Sequence, residues 1–389
     1  EGIYMFKFIR VNMTNKEVTI SEVPEKYVGL GGRELTSNFV NDEVKPTCHP
    51  LGKNNKLIFA PGLLSGTAAP NSGRVSIGAK SPLTGGIKES NSGGTFSQNM
   101  ARMGIKALVI EGMPEDDKFY IIKINKDNVI IEEAPEEILG GCGNYKAIEV
   151  LNEKYGDKVG IALAGPAAEY RFATASISFK DPESNIRSGG RGGLGAVMGS
   201  KKVKAIILDT EGVERVPVAD PDKFRAAVKV FAKALMDHPV AGEGLALYGT
   251  NVLVNIINEA GGLPANNFTG GRIDYNDNFS GETLNATIKK RGGKGKVTHG
   301  CHRGCIIKCS QWYADEDGEY VTSGLEYETT WGLGADAGIR SLDEIAYIDR
   351  AMDDIGVDSI EVAVAVGAAM EGGLIPWGDG KRVLEIIKD

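Results

Sequence analysis

The sequence lacks the long apolar runs from which membrane-spanning helices are built. The longest apolar run that we find, Val362 to Met370, has nine residues, whereas a helix needs about 20 to cross a bilayer. The first residues, Glu1 to Arg10, lack the basic-then-apolar layout of a secretion signal. We therefore expect no membrane-spanning part and a cytoplasmic location.

The sequence also lacks an excess of positive charge. It has 44 Lys+Arg against 52 Asp+Glu, a net charge of −8, so binding to nucleic acid or to an anionic membrane is not expected. Repeats and low-complexity tracts are missing as well. At about 150 residues per domain, its 389 residues predict two or three globular domains.

Two nucleotide-binding motifs are missing, although glycine is abundant at 52 residues. No Gly-x-x-x-x-Gly-Lys-Ser/Thr occurs, and Gly190 to Gly195 departs from Gly-x-Gly-x-x-Gly. Instead, glycine-rich turns stand beside Arg or Asn at Ser72-Gly73-Arg74, at Asn91-Ser92-Gly93-Gly94 and over the run from Arg187 to Lys201. Each turn alone favours a structural role. Together, they predict a site for a large phosphate-bearing cofactor, since exposed amides beside arginines bind anions.

Cysteine is scarce, with five in the chain, but Cys301, Cys305 and Cys309 fall within nine residues. Such clustered thiols indicate a soft metal or an iron–sulfur cluster. The alternative is that the three cysteines form one buried face of a helix. A buried helix is unfavourable here, because the stretch also contains Arg303, Lys308 and two glycines. A [4Fe–4S] cluster or a zinc site takes four ligands. Candidates for the fourth are His299, His302, Cys48, Cys142 and a segment outside this sequence.

Alternating apolar and polar residues indicate a first half rich in β-structure. The predicted hairpins pair Met5–Thr14 with Lys16–Val23 and Phe119–Ile124 with Val129–Glu133. Further strands are predicted at Lys56–Ala60, Arg74–Lys80, Ala107–Glu111 and Val203–Leu208, with one helix at Tyr145–Tyr155. The predicted fold is α+β and multidomain: a sheet-rich domain with two sheets and few helices over residues 1–210, then mainly helical structure over 211–389.

Helix start and stop signals dominate the second half. Predicted helices run from Asp220-Pro221 to His238, over Val252–Ala260, from the capping box Ser341/Glu344 to Gly356, and from Asp358-Ser359 to Glu371. Asp353 and Asp358 would then lie at the two ends of the connection between the last two helices, here called the elbow (residues 353–358). The free amides of the elbow would bind an anion, or else Asp358 would serve only as the N-cap of the following helix. The basic run 289–296 is predicted to be a solvated loop, or else a docking surface for an acidic electron carrier.

These motifs resemble those of the aldehyde ferredoxin oxidoreductases, which carry a tungsten or molybdenum bis-pyranopterin (molybdopterin) cofactor beside a [4Fe–4S] cluster. The resemblance covers residues 3 to about 372. It rests on Phe59-Ala60-Pro61-Gly62, Ser72-Gly73-Arg74, Lys80-Ser81-Pro82-Leu83-Thr84-Gly85, Asn91-Ser92-Gly93-Gly94, Gly165-Pro166-Ala167, Gly190 to Lys201, Glu326-Tyr327-Glu328 and Asp353-x-x-Gly356-Val357-Asp358. The cysteine spacing is three-and-three, against two-and-three in well-known members, which indicates a distinct branch.

The resemblance implies oxidation of a small aldehyde to a carboxylic acid, with electrons leaving through the cluster to ferredoxin or a similar carrier. It assigns cofactor binding to Arg74, Asn91, Gly93, Arg187, Ser188, Asp353, Gly356, Val357 and Asp358, and cluster ligation to Cys301, Cys305 and Cys309. Glu328, with Tyr327 and Glu326 beside it, would handle protons as an oxygen nucleophile attacks the aldehyde carbon.

The resemblance is also compatible with Mg bridging the pterin phosphates and with a homodimer. The family pattern, including its fourth cluster cysteine, is expected to continue past Asp389. Two alternatives stay open. One is a related carboxylate or aromatic thioester reductase with the same cofactors, and the other is a non-catalytic subunit that holds an iron–sulfur cluster or a structural zinc.

Overall fold

The computed structural model describes residues 6–389, and the chain divides into two compact units. The first unit extends to Val228 and takes in two short segments from later in the sequence, His302–Cys305 and Asp353–Asp358. The second unit comprises Lys229–Cys301, Ile306–Met352 and Ser359–Asp389. The domain boundary at residue 210 stays a prediction.

Two six-stranded sheets form most of the first unit. The strands are β1 Lys7–Asn12, β2 Glu17–Glu22, β3 Leu57–Pro61, β4 Val75–Lys80, β5 Ile87–Ser92, β6 Ile105–Glu111, β7 Tyr120–Ile124, β8 Val129–Glu133, β9 Gly160–Ala164, β10 Ile177–Lys180, β11 Ile186–Gly189 and β12 Val203–Leu208. One sheet has the order β2-β1-β6-β3-β4-β5 and the other β11-β10-β9-β12-β7-β8. The helices are α1 Gly32–Glu43, α2 Phe96–Arg102, α3 Asn144–Tyr155, α4 Pro166–Glu169 and α5 Leu194–Ser200.

The predicted fold class is confirmed, and so are both hairpins. β1 pairs antiparallel with β2, and β7 with β8; Met5, the predicted start of the first hairpin, lies outside the described residues. Strands β6 and β12 are buried almost throughout, which explains why both are mainly apolar. Helix α3 packs Ala147, Ile148 and Leu151 against Ile161 and Ile207 of the second sheet.

The prediction of a single helix in this half is wrong, because α1, α2, α4 and α5 are also present. The glycine-rich run that was expected to form a turn contains α5. Its glycines allow close packing: an added Cβ on Gly195 would lie 2.1 Å from the Ser176 carbonyl, and one on Gly199 would lie 1.8 Å from that of Ala168. Asn91 and Arg187 likewise lie on strands β5 and β11 rather than on turns.

The chain beyond residue 220 is mainly helical, as predicted. Its helices are α6 Pro221–Asp237, α7 Leu245–Tyr248, α8 Val252–Glu259, α9 Gly281–Arg291, α10 Tyr327–Thr330, α11 Leu342–Ile355, α12 Ser359–Glu371 and α13 Gly380–Lys388. Strands β13 Lys296–His299, β14 Ser310–Ala314 and β15 Tyr320–Ser323 form a small sheet in that order. The Glu344 amide donates to Ser341 Oγ at 3.3 Å, which confirms that half of the capping box.

One stretch, Pro239–Glu259, is long and apolar enough to cross a membrane by length and composition alone. It is not one continuous helix. A π-helical turn, Pro239–Gly244, leads into α7, and a 3-10 turn, Gly249–Asn251, separates α7 from α8. Gly249 has φ 61° and ψ −161°, a conformation that would leave backbone groups unpaired in lipid. The stretch is therefore a weak indication of membrane contact.

A buried ion pair in the first unit gives a stability prediction. The side chains of Lys204 and Glu169 are 0% and 8% exposed, and removing one partner of a buried pair costs about 3–5 kcal/mol. We expect Glu169→Gln to lower the free energy of unfolding by about 3 kcal/mol. The control, Glu149→Gln, affects the exposed pair Lys146–Glu149 and should cost at most about 0.5 kcal/mol. Urea denaturation compares the two, and equal losses would contradict the prediction.

Candidate cofactor site

Arg74 and Asn91, two of the predicted cofactor contacts, are bonded to each other. The antiparallel register of β4 and β5 sets Val75 opposite Ser92, so that Arg74, just before β4, lies at the end of β5. Its Nε donates to the Asn91 side-chain oxygen, and its Nη2 donates to the Asn91 carbonyl at 3.2 Å. The exposed guanidinium is thereby oriented, and its remaining N–H groups suit a planar anionic ligand.

Arg187 is held by a buried carboxylate. Its Nε and Nη2 both donate to Asp181 Oδ2 at 3.2 Å, and the two side chains are 8% and 0% exposed. Strand β11, which carries Arg187 and Ser188, lies against β5, the strand of Asn91. Three predicted cofactor residues, Asn91, Arg187 and Ser188, therefore come from two strands that pack together.

The elbow 353–358 belongs to the first unit and is bonded to it. The Ser176 amide donates to the Gly356 carbonyl, and the Asp358 amide to the Thr174 carbonyl, both at 2.9 Å. Between them, Ala175 and Val357 form an antiparallel bridge. Gly356 has φ 75°, which is why a glycine stands there. The backbone of the elbow is therefore part of the β-structure of this unit.

Side chains reinforce that connection. Ser188 Oγ donates to Asp353 Oδ1 at 3.3 Å, so that two predicted cofactor residues bond each other. Asn144 Nδ2 donates to the Asp353 carbonyl at 2.8 Å, and the Tyr145 amide donates to Asp354 Oδ1 at 3.0 Å. Asp354 thus caps α3, whose own N-cap residue offers no side-chain bond. Sequence reasoning missed Asn144 and Asp354, because the bonds join residues 209 positions apart.

Of the buried polar side-chain atoms for which the described residues offer no hydrogen-bond partner, three belong to residues in or next to these strands and the elbow: Ser92 Oγ, Ser176 Oγ and Asn144 Oδ1. Ser92 follows Asn91 in sequence, while Ser176 and Asn144 both bond the elbow. An unpaired buried polar atom costs about 1–3 kcal/mol, which a ligand with both donors and acceptors would recover. This unpaired set fits a polar heterocycle that bears phosphates.

The cysteine loop is attached to the turn that precedes Arg74. The Asn71 amide donates to the Gly304 carbonyl at 3.0 Å. Gly73 packs against the His302 imidazole so closely that an added Cβ would lie 2.4 Å from Nδ1. The loop and the arginine turn therefore form one local structure, and Gly73 is the residue that permits it.

Within the loop, the ligand atoms of Cys301, His302 and Cys305 all lie within 4.8 Å of one another, a spacing that suits one shared metal. His302 Nδ1 is 2.8 Å from the Arg303 carbonyl. A carbonyl only accepts, so Nδ1 donates in this contact, which leaves Nε2 as the ring nitrogen that can bind a metal. Among the described residues, Cys309 lies outside this group. The structure therefore brings together two of the predicted cysteine ligands, Cys301 and Cys305, with His302, one of the candidates for the fourth ligand.

The segment Glu326-Tyr327-Glu328 lies in the second unit, where Tyr327 begins α10. Thr250 Oγ1 donates to Glu326 Oε2 at 2.6 Å and accepts from the Tyr327 amide at 2.8 Å, so that Glu326 helps to fix the start of the helix. Burial, and next the charge of Glu328, raises the pKa of the Tyr327 phenol. Tyr327 therefore stays a protonated donor beside the half-buried Glu328.

The basic run 289–296 is solvated, as predicted, since Lys289, Lys290, Lys294 and Lys296 are exposed, but only part of it is a loop. It closes α9 and begins β13. Arg291 pairs with Asp343 at 2.7 Å, and the Lys296 ammonium lies 3.5 Å from the centre of the Trp312 ring. These contacts engage Arg291 and Lys296, while Lys289 and Lys290 stay exposed, so the prediction of a docking surface stays a prediction.

Comparison with known families matches both parts of the chain. The model of the aldehyde ferredoxin oxidoreductase N-terminal domain matches residues 8–210, and the model of domains 2 and 3 of that family matches residues 226–389. The tungsten-containing aldehyde ferredoxin oxidoreductase of Thermococcus kodakarensis is 39% identical over 369 residues, and that of Pyrococcus furiosus is 39% identical over 367. Each alignment covers 94% of this chain and 58% of the relative.

More distant similarities agree on the fold. The aliphatic sulfonate oxidoreductase WOR-like subunit of Pyrococcus furiosus is 26% identical, covering 99% of this chain and 64% of that protein. The solved active site complex BamBC of benzoyl coenzyme A reductase with 1,5 dienoyl-CoA has a TM-score of 0.80 at 22% identity, covering 98% of this chain and 59% of that one. At that identity the likeness concerns the fold alone.

The contact between Gly73 and His302 gives a prediction about metal retention. In Gly73→Ala the new Cβ, 2.4 Å from His302 Nδ1, must displace the ring. We expect the protein to release metal from the cysteine loop to a chelator about tenfold more readily, as for other losses of ligand support. Gly29→Ala is the control, since no atom lies within 4 Å of its added Cβ. Mass spectrometry of bound iron and zinc measures both, and unchanged retention in Gly73→Ala would refute the coupling.

Proposed function

We propose, from the premise that this chain belongs to the aldehyde ferredoxin oxidoreductase family, that it forms the cofactor-binding part of an enzyme that oxidises an aldehyde to a carboxylic acid. The chain spans 58% of the length of the curated relatives that it matches. One observation carries the proposal: Arg74, Arg187, the elbow 353–358 and the segment His302–Cys305 all belong to one compact unit, although the sequence scatters them over almost 300 residues.

A tungsten or molybdenum bis-pyranopterin suits the residues that this unit offers. Arg74 and Arg187 would bind its phosphates, and Asp353 and Asp358 would accept hydrogen bonds from ring N–H groups. The unpaired buried atoms of Ser92, Ser176 and Asn144 are the partners that such a ligand needs. When bound, the group supplies the two-electron redox chemistry. Ser188 Oγ would offer an oxygen ligand for the expected Mg ion.

The cysteine loop would supply the path by which electrons leave. Cys301, Cys305 and Cys309 are the proposed thiolate ligands of a [4Fe–4S] cluster. The fourth ligand would come from His302 or from a part of the protein outside this sequence. Because this loop is bonded to the turn before Arg74, a cluster here would lie next to the arginine turn, and ferredoxin or a similar carrier would accept single electrons from it.

Glu328 would act as the base. Oxidation of R–CHO with water gives R–COO⁻, three protons and two electrons, so a group near the carbonyl carbon must accept protons. Glu328 can take the proton of the attacking water. Tyr327, whose phenol stays protonated, can donate a hydrogen bond to the carbonyl oxygen as negative charge develops there.

A non-catalytic subunit with a structural zinc is the second candidate. Two cysteines and one histidine within 4.8 Å form a donor set that zinc accepts.

Metal analysis of the anaerobically purified full-length protein separates the two proposals. Tungsten or molybdenum together with pterin phosphate and about four irons supports the oxidoreductase. Zinc alone would overturn it.

The role of Glu328 is tested by Glu328→Gln in the full-length enzyme. The amide keeps the shape but cannot accept the proton, so we expect kcat for aldehyde oxidation to fall at least about 100-fold, while metal content stays at the wild-type level. Glu319→Gln is the control, because Glu319 forms an exposed pair with Lys294. Dye reduction by both variants provides the measurement. Wild-type turnover in Glu328→Gln would remove this residue from the mechanism.

A further inference from the structure

A cavity of about 1050 Å³ lies within the second unit. Its walls come from three stretches of the chain: the loop 266–275, the residues around the start of α11 and the turn before α13. Ligand pockets in proteins range up to about 1000 Å³, so this cavity has room for a ligand larger than a small aldehyde. The proposed oxidation uses none of its lining residues, and the lining therefore needs an explanation of its own.

Close backbone contacts fix two of these walls against each other. The Gly378 amide donates to the Ala337 carbonyl at 3.0 Å. Gly378 has φ 74°, and an added Cβ there would lie 2.6 Å from the Gly338 carbonyl oxygen, so only a glycine lets the two turns meet. The same contact sets the Trp377 ring beside Gly338, 4.0 Å from the position of an added Cβ. The indole, which is 45% exposed, is thereby held as a flat apolar surface in the wall of the cavity.

Arg340 places a positive charge in the lining. Its guanidinium carbon lies 4.3 Å from the centre of the Tyr275 ring, and that ring is fixed in turn by its hydroxyl, which donates to the Gly334 carbonyl at 3.4 Å. No carboxylate among the residues that the structure describes forms an ion pair with Arg340. Its N–H groups therefore suit an anionic ligand, because a guanidinium stacked on a ring still offers its edge to a phosphate or a carboxylate.

A second arginine, Arg272, is held in the lining by the end of α8. Its Nε donates to the Asn258 carbonyl at 3.1 Å, and its Nη2 donates to the Glu259 carbonyl. The Glu259 carboxylate lies 3.4 Å from this guanidinium but is 87% exposed, so water screens the pair. The cavity therefore has two oriented guanidinium groups, a pattern that favours a phosphate-bearing ligand.

Two carboxylates, Asp274 and Glu344, also line the cavity, so a ligand that is anionic throughout would be repelled. Glu344 lies beside the first residue of α13, where an added Cβ on Gly380 would be 2.7 Å from its Oε2, and Asp274 is exposed. In dinucleotide-binding folds, carboxylates bind the hydroxyl groups of a ribose. The lining thus offers cationic groups, acceptors for hydroxyl groups and a flat aromatic surface.

We propose that this cavity binds a nucleotide. The phosphate would be held by Arg340 and Arg272, the base would stack on Trp377, as bases do on aromatic side chains, and a ribose hydroxyl would donate to Asp274 or Glu344. Each of the three parts of a nucleotide then meets the group in the lining that suits its chemistry. The inference goes beyond the proposed function and does not depend on it.

Isothermal titration calorimetry of the full-length protein with AMP tests the proposal, with adenosine and inorganic phosphate as partial ligands. We expect one AMP per chain, bound more tightly than either partial ligand. Arg340→Ala should weaken AMP binding at least about tenfold, the scale of a lost charge-assisted hydrogen bond, and leave adenosine binding unchanged. No saturable binding of AMP, or AMP bound no more tightly than phosphate, would overturn the proposal.

Trp377→Ala tests the stacking surface. It should weaken the binding of both AMP and adenosine about tenfold and that of phosphate not at all, while Trp377→Phe should have a smaller effect. Matched controls are Arg382→Ala, which removes an exposed arginine paired with Glu385 on α13, and Leu374→Ala, which removes an apolar side chain that is 82% exposed. Both controls should bind AMP like the wild type. An effect of Arg382→Ala equal to that of Arg340→Ala would show that only net charge matters, and would overturn the site.

Thermal unfolding separates binding from folding. Arg340 and Trp377 are exposed, so their variants should melt like the wild type without ligand. AMP should raise the melting temperature of the wild type and of Arg382→Ala, since a ligand that binds the folded state stabilises it, and should raise that of Arg340→Ala less. An equal rise in all three would place AMP elsewhere on the protein and overturn the assignment.

Discussion

Two backbone hydrogen bonds and the bridge between them make the elbow part of the first unit, and the candidate site depends on them. Ser176 donates to Gly356 and Asp358 to Thr174, on either side of the Ala175–Val357 bridge. This register needs a glycine with positive φ at residue 356. Such pairing is directional and buried, so it fixes the elbow residues as rigidly as strand residues. Without it, the aspartates would be ordinary helix-end residues.

The two arginines of the site are prepared for anions in different ways. Arg187 is paired with the fully buried Asp181, so its charge is largely balanced, and it contributes oriented N–H groups more than net charge. Arg74 is bonded to the neutral Asn91 and keeps its full charge at an exposed position. In the proposed site, the attraction for a phosphate would therefore come mainly from Arg74, while Arg187 would supply geometry.

Local sequence signals predicted local structure well. The hairpins and the start of α11 depend on residues within a few positions of one another, and they are confirmed. Strand β5, which reads Ile-Lys-Glu-Ser-Asn-Ser, escaped prediction because strand pairing on one edge of the sheet outweighs its polar composition. The contacts of Asn144 and Asp354 escaped for another reason: nothing at residue 144 indicates a partner 209 positions away. Motifs identify residues that bind together, but only tertiary structure shows which residues support them.

Two carboxylates of the first unit, Asp181 and Asp354, brace the backbone. Asp181 accepts the amides of Glu183 and Asn185, and Asp354 accepts that of Tyr145. In the segment Glu326-Tyr327-Glu328 the same principle holds at a helix start. Glu326 accepts a hydrogen bond from Thr250 Oγ1, which in turn accepts one from the Tyr327 amide. The carboxylate of Glu326 therefore helps to fix the first turn of α10, and with it the backbone position of Glu328, the proposed base.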